Sequence, residues 1–372
     1  MRSASSLVGW LVVLAAVVLY VRFVPAWWCG RDAAGVGSES SAALARRVAR
    51  DLERPRSFHT GSARFDGEWT FGTAQMAALG LGQVALAAPA RRAWAVLQMD
   101  RAIEAARSEP ARAFDAEAWS EDPLASLDGD KDHAAYLGYL NLALSLRRRL
   151  GPSPTAGLSD AVTEALRRRL RRRAWLETYP GEIYPVDNLA ALASIALYDA
   201  ALQREPAEAR RWLARWAEAS LDPATGLVVQ AVDATGRPVD AARGSGSALS
   251  AYFASFADLE LARRIDRAVG EHLYREVLGF GVVREYPAGV SGRGDIDSGP
   301  LVFGFSISAS GFGFAGARLF GDSRRFAGLY RTYHLFGAPR ATHGELSFVS
   351  GGALGNAILL AMLTRADAPV LP

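Results

Sequence analysis

Hydrophobic and polar positions alternate along this chain in two different ways. From Leu7 to Trp28 every residue but Arg22 is apolar or small. At about 1.5 Å per residue that stretch spans roughly 33 Å, the thickness of a bilayer core. Beyond it, apolar residues recur at helical spacing with few β-branched runs, so nearly the whole remainder is predicted helical. Two kinds of helix alternate. One kind is small-sided all round, as in Gly72, Ala74, Ala77, Ala78, Gly80 and Gly82, in Ala190 to Ala196, and in Gly304, Ser306, Ser308 and Gly311. The other is amphipathic, as in Ala207 to Ala219 with Arg210, Arg211 and Arg215 on one face.

Loops rich in Gly, Pro, acids and aromatics end near Trp69, Asp132, Asn188, Gly246, Pro300 and Gly351, and a small-residue helix follows each; the intervals are 63, 56, 58, 54 and 51 residues. A period near 55 residues accommodates two helices and two connections, hence a helical hairpin. Six hairpins predict an (α/α)6 toroid, with small helices inside, amphipathic helices outside, and the long loops gathered at one end in a funnel. The expected organisation is a membrane anchor and flank over 1–31, a tether over 32–41 and one all-α toroid over 42–372.

The opening segment reads as an uncleaved single-pass anchor. No small-x-small cleavage site follows it, and Trp28 before Cys29 spoils lipoprotein processing. Arg22 is placed to snorkel, and Trp27 and Trp28 suit the interfacial belt. Arg2 flanks one side and Arg22 and Arg31 the other, so charge does not orient the span; the toroid is expected on the extracytoplasmic side.

Composition then narrows the chemistry. Of 372 residues one is cysteine, which rules out an intramolecular disulfide, a zinc ribbon or a dithiol motif. The net charge is +3, and of 42 basic residues only Lys131 is lysine, an arginine bias that fits a GC-rich coding sequence better than a nucleic-acid site. The one dense run, Arg167, Arg168, Arg169, Arg171, Arg172 and Arg173, is expected on an exposed cationic helix face. Gly80 to Ala85 matches a dinucleotide fingerprint in letters but falls inside a helix, where close packing explains it. Asp128, Asp130 and Asp132 mimic the start of a calcium loop, yet His133 and Tyr139 stand where Gly and Glu are needed. No cofactor or metal is expected.

The predicted funnel loops carry Asp66, Glu68 and Trp69; Glu121, Asp122, Asp130, Asp132 and His133; Tyr179, Glu182, Tyr184 and Asp187; Gln230 and Arg243; Glu285, Tyr286, Arg293, Asp295 and Asp297; and His343 and Glu345. Paired carboxylates, one with a raised pKa, can serve as acid and base at a C–O bond. Helix starts attract acids as caps in any case, so each has a structural alternative. Asp187 is balanced between cap and site. Glu182 lies where Pro180, Gly181 and Pro185 break the backbone and is the expected proton donor. Asp66 or Asp297 is the expected base. Trp69, Tyr139, Tyr179, Tyr184, Asp187, Arg293, Asp295, His343 and Glu345 are expected to shape or bind a small-molecule substrate, an alcohol or a sugar.

The middle of the chain resembles the linalool dehydratase/isomerase family through Glu121-Asp122, Gly138, Leu140-Asn141-Leu142, Tyr184, Asn188, Tyr198-Asp199, Trp212-Leu213, Leu221-Asp222-Pro223 and Gly226. The resemblance implies an (α/α)6 barrel and addition or removal of water at an alcohol. That family works with cysteines in the loop matching Tyr179 to Asn188 and a histidine in the Gly-x-Leu-Asn-Leu helix. Here Tyr179 and Asp187 align with the cysteines and Tyr139 with the histidine; Glu182 aligns with the loop's acid. The expected function is a hydro-lyase or isomerase using carboxylates, with a glycoside hydrolase or a non-catalytic glycan- or lipid-binding toroid as alternatives. The enzyme reading requires Glu182, Asp66 and Asp297 to face one cavity. A homo-oligomer is left open.

Overall fold

The structure, a computed structural model, describes residues 2–31, 39–53 and 58–365, with side chains from residue 8 onward. The helices are α1 (Arg2–Gly30), α2 (Glu39–Leu52), α3 (Ala63–Ala87), α4 (Arg92–Arg107), α5 (Glu109–Trp119), α6 (Ala134–Arg149), α7 (Ala156–Arg172), α8 (Pro185–Ala201), α9 (Ala207–Ser220), α10 (Gly244–Ala254), α11 (Leu259–Ala268), α12 (Ile307–Leu319), α13 (Ser323–Gly337) and α14 (Gly352–Leu363). The molecule is thus mostly helical behind one apolar N-terminal helix.

The small-sided helices pack in sequence order. α3 lies against α6, α6 against α8, α8 against α10, α10 against α12, α12 against α14, and α14 returns to α3. α8 shows why these helices suit the interior, since from Asp187 to Ala200 every residue is buried. The amphipathic helices cover them from outside: α2 on α3 and α14, α4 and α5 on α3 and α6, α7 on α6 and α8, α9 on α8, α11 on α10 and α12, and α13 on α12. In α9 only Ala209, Leu213, Trp216 and Ser220 are buried, a single stripe at helical spacing. Gly80 is where α3 meets α14, and a Cβ there would stand 2.9 Å from the Ala361 amide nitrogen. Packing therefore accounts for the glycines at 80 and 82, as expected.

Three expectations change. The chain is not wholly helical. Tyr274–Val277 (β1) and Phe280–Arg284 (β2) form a hairpin to which Phe305–Ser306 (β3) adds, and Pro339–Thr342 (β4) pairs with Glu345–Phe348 (β5). Both hairpins turn over two residues with positive φ, Leu278-Gly279 and His343-Gly344, the geometry that matches strand twist. Second, of the predicted tether 32–41, residues 32–38 lie outside the described residues, and 39–41 already form the first turn of α2 with Ser41 buried.

Third, the arginine run is an exposed face only in part: Arg171, Arg172 and Arg173 are exposed, as expected, but ion-paired, and the rest of the run turns inward. Arg169 is buried, donating to the carbonyls of Lys131 at 2.7 Å, Leu127 at 3.0 Å, Ala165 at 3.1 Å and Ser126 at 3.2 Å. Arg172 pairs with Asp130, Arg173 with Asp132 at 3.0 Å, Arg167 with Asp199 at 2.5 Å and Arg171 with Glu208 at 2.9 Å. The run therefore fastens the loop 126–132 to α7, which also explains the aspartates that resemble a calcium loop.

α1 is long and apolar enough to cross a membrane, with mean hydropathy 2.1 over its most apolar window. Its last turns dock on α13, burying Ala26 and Cys29.

Candidate functional site

Carboxylates meet at the N-terminal ends of the inner helices. The loop before α8 sets the geometry. Tyr179, Pro180, Gly181 and Glu182 form a turn closed by the Glu182 amide donating to the Tyr179 carbonyl at 2.9 Å, with Gly181 at φ +82°. Proline second and a positive-φ glycine third are the requirements of a type II turn. Asn188 holds the loop against α8, accepting from the Leu176 amide at 2.8 Å and donating to the Leu176 carbonyl at 2.9 Å. Tyr179 is thereby directed to α3, where its hydroxyl donates to Glu68 Oε2 at 2.9 Å. The Arg64 guanidinium lies 4.7 Å from the same ring.

Asp187 lies in the first turn of α8 but caps nothing. It is buried, accepting from Tyr139 Oη at 2.7 Å through Oδ1 and from Thr178 Oγ1 at 2.7 Å through Oδ2. Burial raises its pKa against those two hydrogen bonds. Tyr139 is fixed edge-on to Phe253 with ring centres 5.1 Å apart.

Glu68, Asp187 and Asp297 form the electrostatic centre. Desolvation first, then the charge of Asp297, push Glu68 up to about 8, against the Tyr179 hydrogen bond. Desolvation, then the charges of Asp295 and Asp187, push Asp297 up to about 7 against the pull of Arg243. Asp297 is exposed to solvent, so water screens part of that desolvation. Glu285, buried and accepting from Ser245 Oγ at 2.6 Å and the Ser245 amide at 3.1 Å, is raised to about 6, mainly by burial. Asp295 pairs with Arg243, which also meets Asp240 at 2.6 Å.

The other expected residues fall elsewhere. Of the trio Glu182, Asp66 and Asp297, Asp66 is engaged at Thr60 and not with the raised carboxyls. Asp66 accepts from the Thr60 amide and hydroxyl, both at 2.7 Å, and these bonds lower its pKa; it ties down the entry to α3. Residues 66 and 68 sit about 200° apart around a helix, so only one of the two can face the centre. Here it is Glu68, which the sequence reading placed in the same loop as Asp66 but did not choose, because α3 starts at Ala63, before both. Glu182 accepts from Tyr184 Oη at 2.8 Å, and Tyr184 in turn senses Asp187 and Asp297. Trp69 is edge-on to Phe58 at 5.6 Å. Arg293 is exposed and bonds through its carbonyl to Tyr286 Oη at 3.0 Å.

His343 and Glu345 serve the β4–β5 hairpin, His343 in its exposed turn and Glu345 in an ion pair with Arg50 at 2.5 Å. His133 is buried between Asp115 at 2.6 Å and Glu121 at 3.2 Å, a satisfied structural histidine. Asp122 caps the Leu124 and Ala125 amides. No group of three or more metal-ligating side chains occurs among the described residues. A groove of about 340 Å³ lined by Arg263, Asp266, Arg267, Tyr274, Asp322 and Arg325 lies on the outer layer, away from this cluster.

The chain matches no family model and no curated protein.

Proposed function

We propose that this chain is a membrane-anchored (α/α)6 toroid whose inner helix ends hold an acid/base enzyme site for a C–O bond in a small alcohol or sugar. The observation that carries the reading is Glu68, whose largely enclosed carboxyl is raised to about 8 and so holds its proton at neutral pH beside a second carboxyl raised to about 7. Glu68 takes the proton-donor role the sequence suggested for Glu182, and Asp297 is the base. The packing cycle from α3 through α14 and back to α3 supports the toroid.

In a dehydration, Glu68 gives its proton to the departing hydroxyl as the C–O bond breaks. Asp297 takes a proton from the neighbouring carbon, whose C–H electrons become the new double bond. In a glycoside hydrolysis, the same donor protonates the glycosidic oxygen while Asp297 takes a proton from the attacking water. The likeness to the linalool dehydratase/isomerase family favours dehydration or its reverse. Tyr139 and Thr178 hold Asp187, whose charge raises the pKa of both working carboxyls, and Tyr179 aims Glu68. The anchor holds the toroid at a membrane, on its extracytoplasmic side in this reading.

The test is turnover of terpene alcohols and of oligosaccharides by the purified full chain, beside Glu68→Gln. One substrate class is expected to be consumed, with the variant slower by about 10²–10⁴-fold. Wild-type rates in Glu68→Gln, or saturable binding without turnover, would refute the enzyme.

A further inference from the structure

The β1–β2 hairpin ends in an exposed apolar tip that general fold economy does not explain. Val277 is 54% and Leu278 46% exposed. Leu278 also takes φ +53° in a turn that favours Asn, Asp or Gly, so a branched side chain there costs backbone strain as well as hydration. Strain and exposure together at one residue need a compensating environment.

α1 supplies its identity. The tip packs against the docked end of that helix. A Cβ on Gly279 would lie 3.0 Å from Ala26 Cβ and 3.5 Å from Arg22 Nη1, and Arg331 clamps the same turn by donating to the Gly279 carbonyl at 3.0 Å. A hydrocarbon core of about 30 Å needs about 20 helical residues. Counted from Leu7, where the apolar run begins, those residues run out at Ala26. Arg22 to Ala26 therefore occupy the final turn and a half of the span, with Trp27 and Trp28 exposed at 64% and 52% as an aromatic belt. Whatever touches Arg22 and Ala26 stands at the same depth. The hairpin's acid, Glu276, is neutralised by Arg324 at 3.2 Å, and Arg22, Arg275 and Arg331 are at hand for anionic headgroups.

We propose that the β1–β2 tip is a second membrane contact, with Val277 and Leu278 inserted into the lipid interface beside α1. The inference rests on the reading of α1 as a membrane span. Two contacts fix the domain's tilt at the bilayer more firmly than the one helix alone.

The experiment uses the full chain, Cys29→Ser, in vesicles of phosphatidylcholine and phosphatidylglycerol, with a nitroxide on Val277→Cys or Leu278→Cys. Val239→Cys, 63% exposed in a distant loop, is the water reference and Val17→Cys in α1 the lipid reference. The ratio of collisions with oxygen to those with a water-soluble nickel chelate is expected to rise at both tip positions above Val239→Cys, toward Val17→Cys. A tip ratio equal to that of Val239→Cys with Val17→Cys in lipid overturns the hairpin contact alone. Low access to both reagents at the tip, the mark of a second copy of the chain or another protein, overturns it too. A water-like Val17→Cys overturns the membrane span and the proposal with it.

Discussion

At the residue scale, the proposed chemistry depends on two carboxyls with displaced titrations. The proton donor is competent below about 8 and the base above about 7, so kcat/KM is expected to be bell-shaped with limbs near those values, measured on whichever substrate is turned over. The limbs belong to the coupled pair, and a flat profile from pH 6 to 9 would refute the assignment. Stability should show the cost. Glu68 titrates at 4.5 unfolded and about 8 folded, so between those values the native state holds a proton the unfolded chain has released. Wild-type stability therefore falls as pH rises through that window, while glutamine does not titrate. Glu68→Gln is expected to match wild type near pH 4 and to exceed it by about 2 kcal/mol at pH 8 and above in urea unfolding, discounted for water that reaches the site. Equal pH slopes in the two proteins would show that Glu68 is not desolvated. The sequence supplied the right pool of acids here but not the choice within it. Asp187 was singled out at the start of an apolar helix, balanced between cap and site, and Asp297 by its i, i+2 spacing from Asp295. Glu68 was passed over for Asp66 because the start of α3 decides which of two acids faces inward, and that start carries no strong signal: Ser62 precedes it without a side-chain cap bond.

Among elements, α7 gave the most misleading pattern. Leu166 and Leu170 are buried as their spacing predicts, and six arginines around them suggested a solvated face. What periodicity cannot convey is that a loop from the preceding hairpin lies on that face, offering carbonyls at 126, 127 and 131 and acids at 130 and 132. Arg169→Ala leaves those carbonyls without a donor in a buried setting and is expected to cost about 2–4 kcal/mol, read from chemical unfolding. Arg210→Ala on α9, an exposed pair with Glu205, should change stability by less than about 0.5 kcal/mol. Similar losses in both variants would mean that Arg169 is no more than another surface charge. The two β-hairpins were missed for a related reason. Each is short, and its turn uses Leu278-Gly279 or His343-Gly344 in place of a familiar Asn-Gly.

On the scale of the whole molecule, the repeat of about 55 residues was the most informative feature of the sequence, because small-residue helices announce crowding on every side before any contact is known. A closed cycle was expected from the count of six hairpins, and the contact that bears on it is α14 meeting α3, about 280 residues apart in the chain. Gly80 against Ala361, and Gln83 Nε2 donating to the Ala361 carbonyl at 2.8 Å, carry that contact. Site residues come from α3, α6, the loop before α8 and the loop before α12, so the cluster needs the cycle intact. The ends of the folded domain lie on the face opposite the cluster: Glu39 pairs with Arg91 just after α3, and Arg365 after α14 bonds Ser255 after α10. The proposed closed ring would have no privileged starting point. A circular permutant joining residue 365 to residue 39 through a Gly/Ser linker, and opened between the exposed residues Ala234 and Thr235, is expected to keep its helical circular dichroism and the proposed turnover. Removing α14 exposes the flank of α3 and should abolish cooperative unfolding as well as turnover. If the chain without α14 unfolds as cooperatively as the intact one, the packing between α14 and α3 does not close a ring, and the six hairpins form an open stack instead.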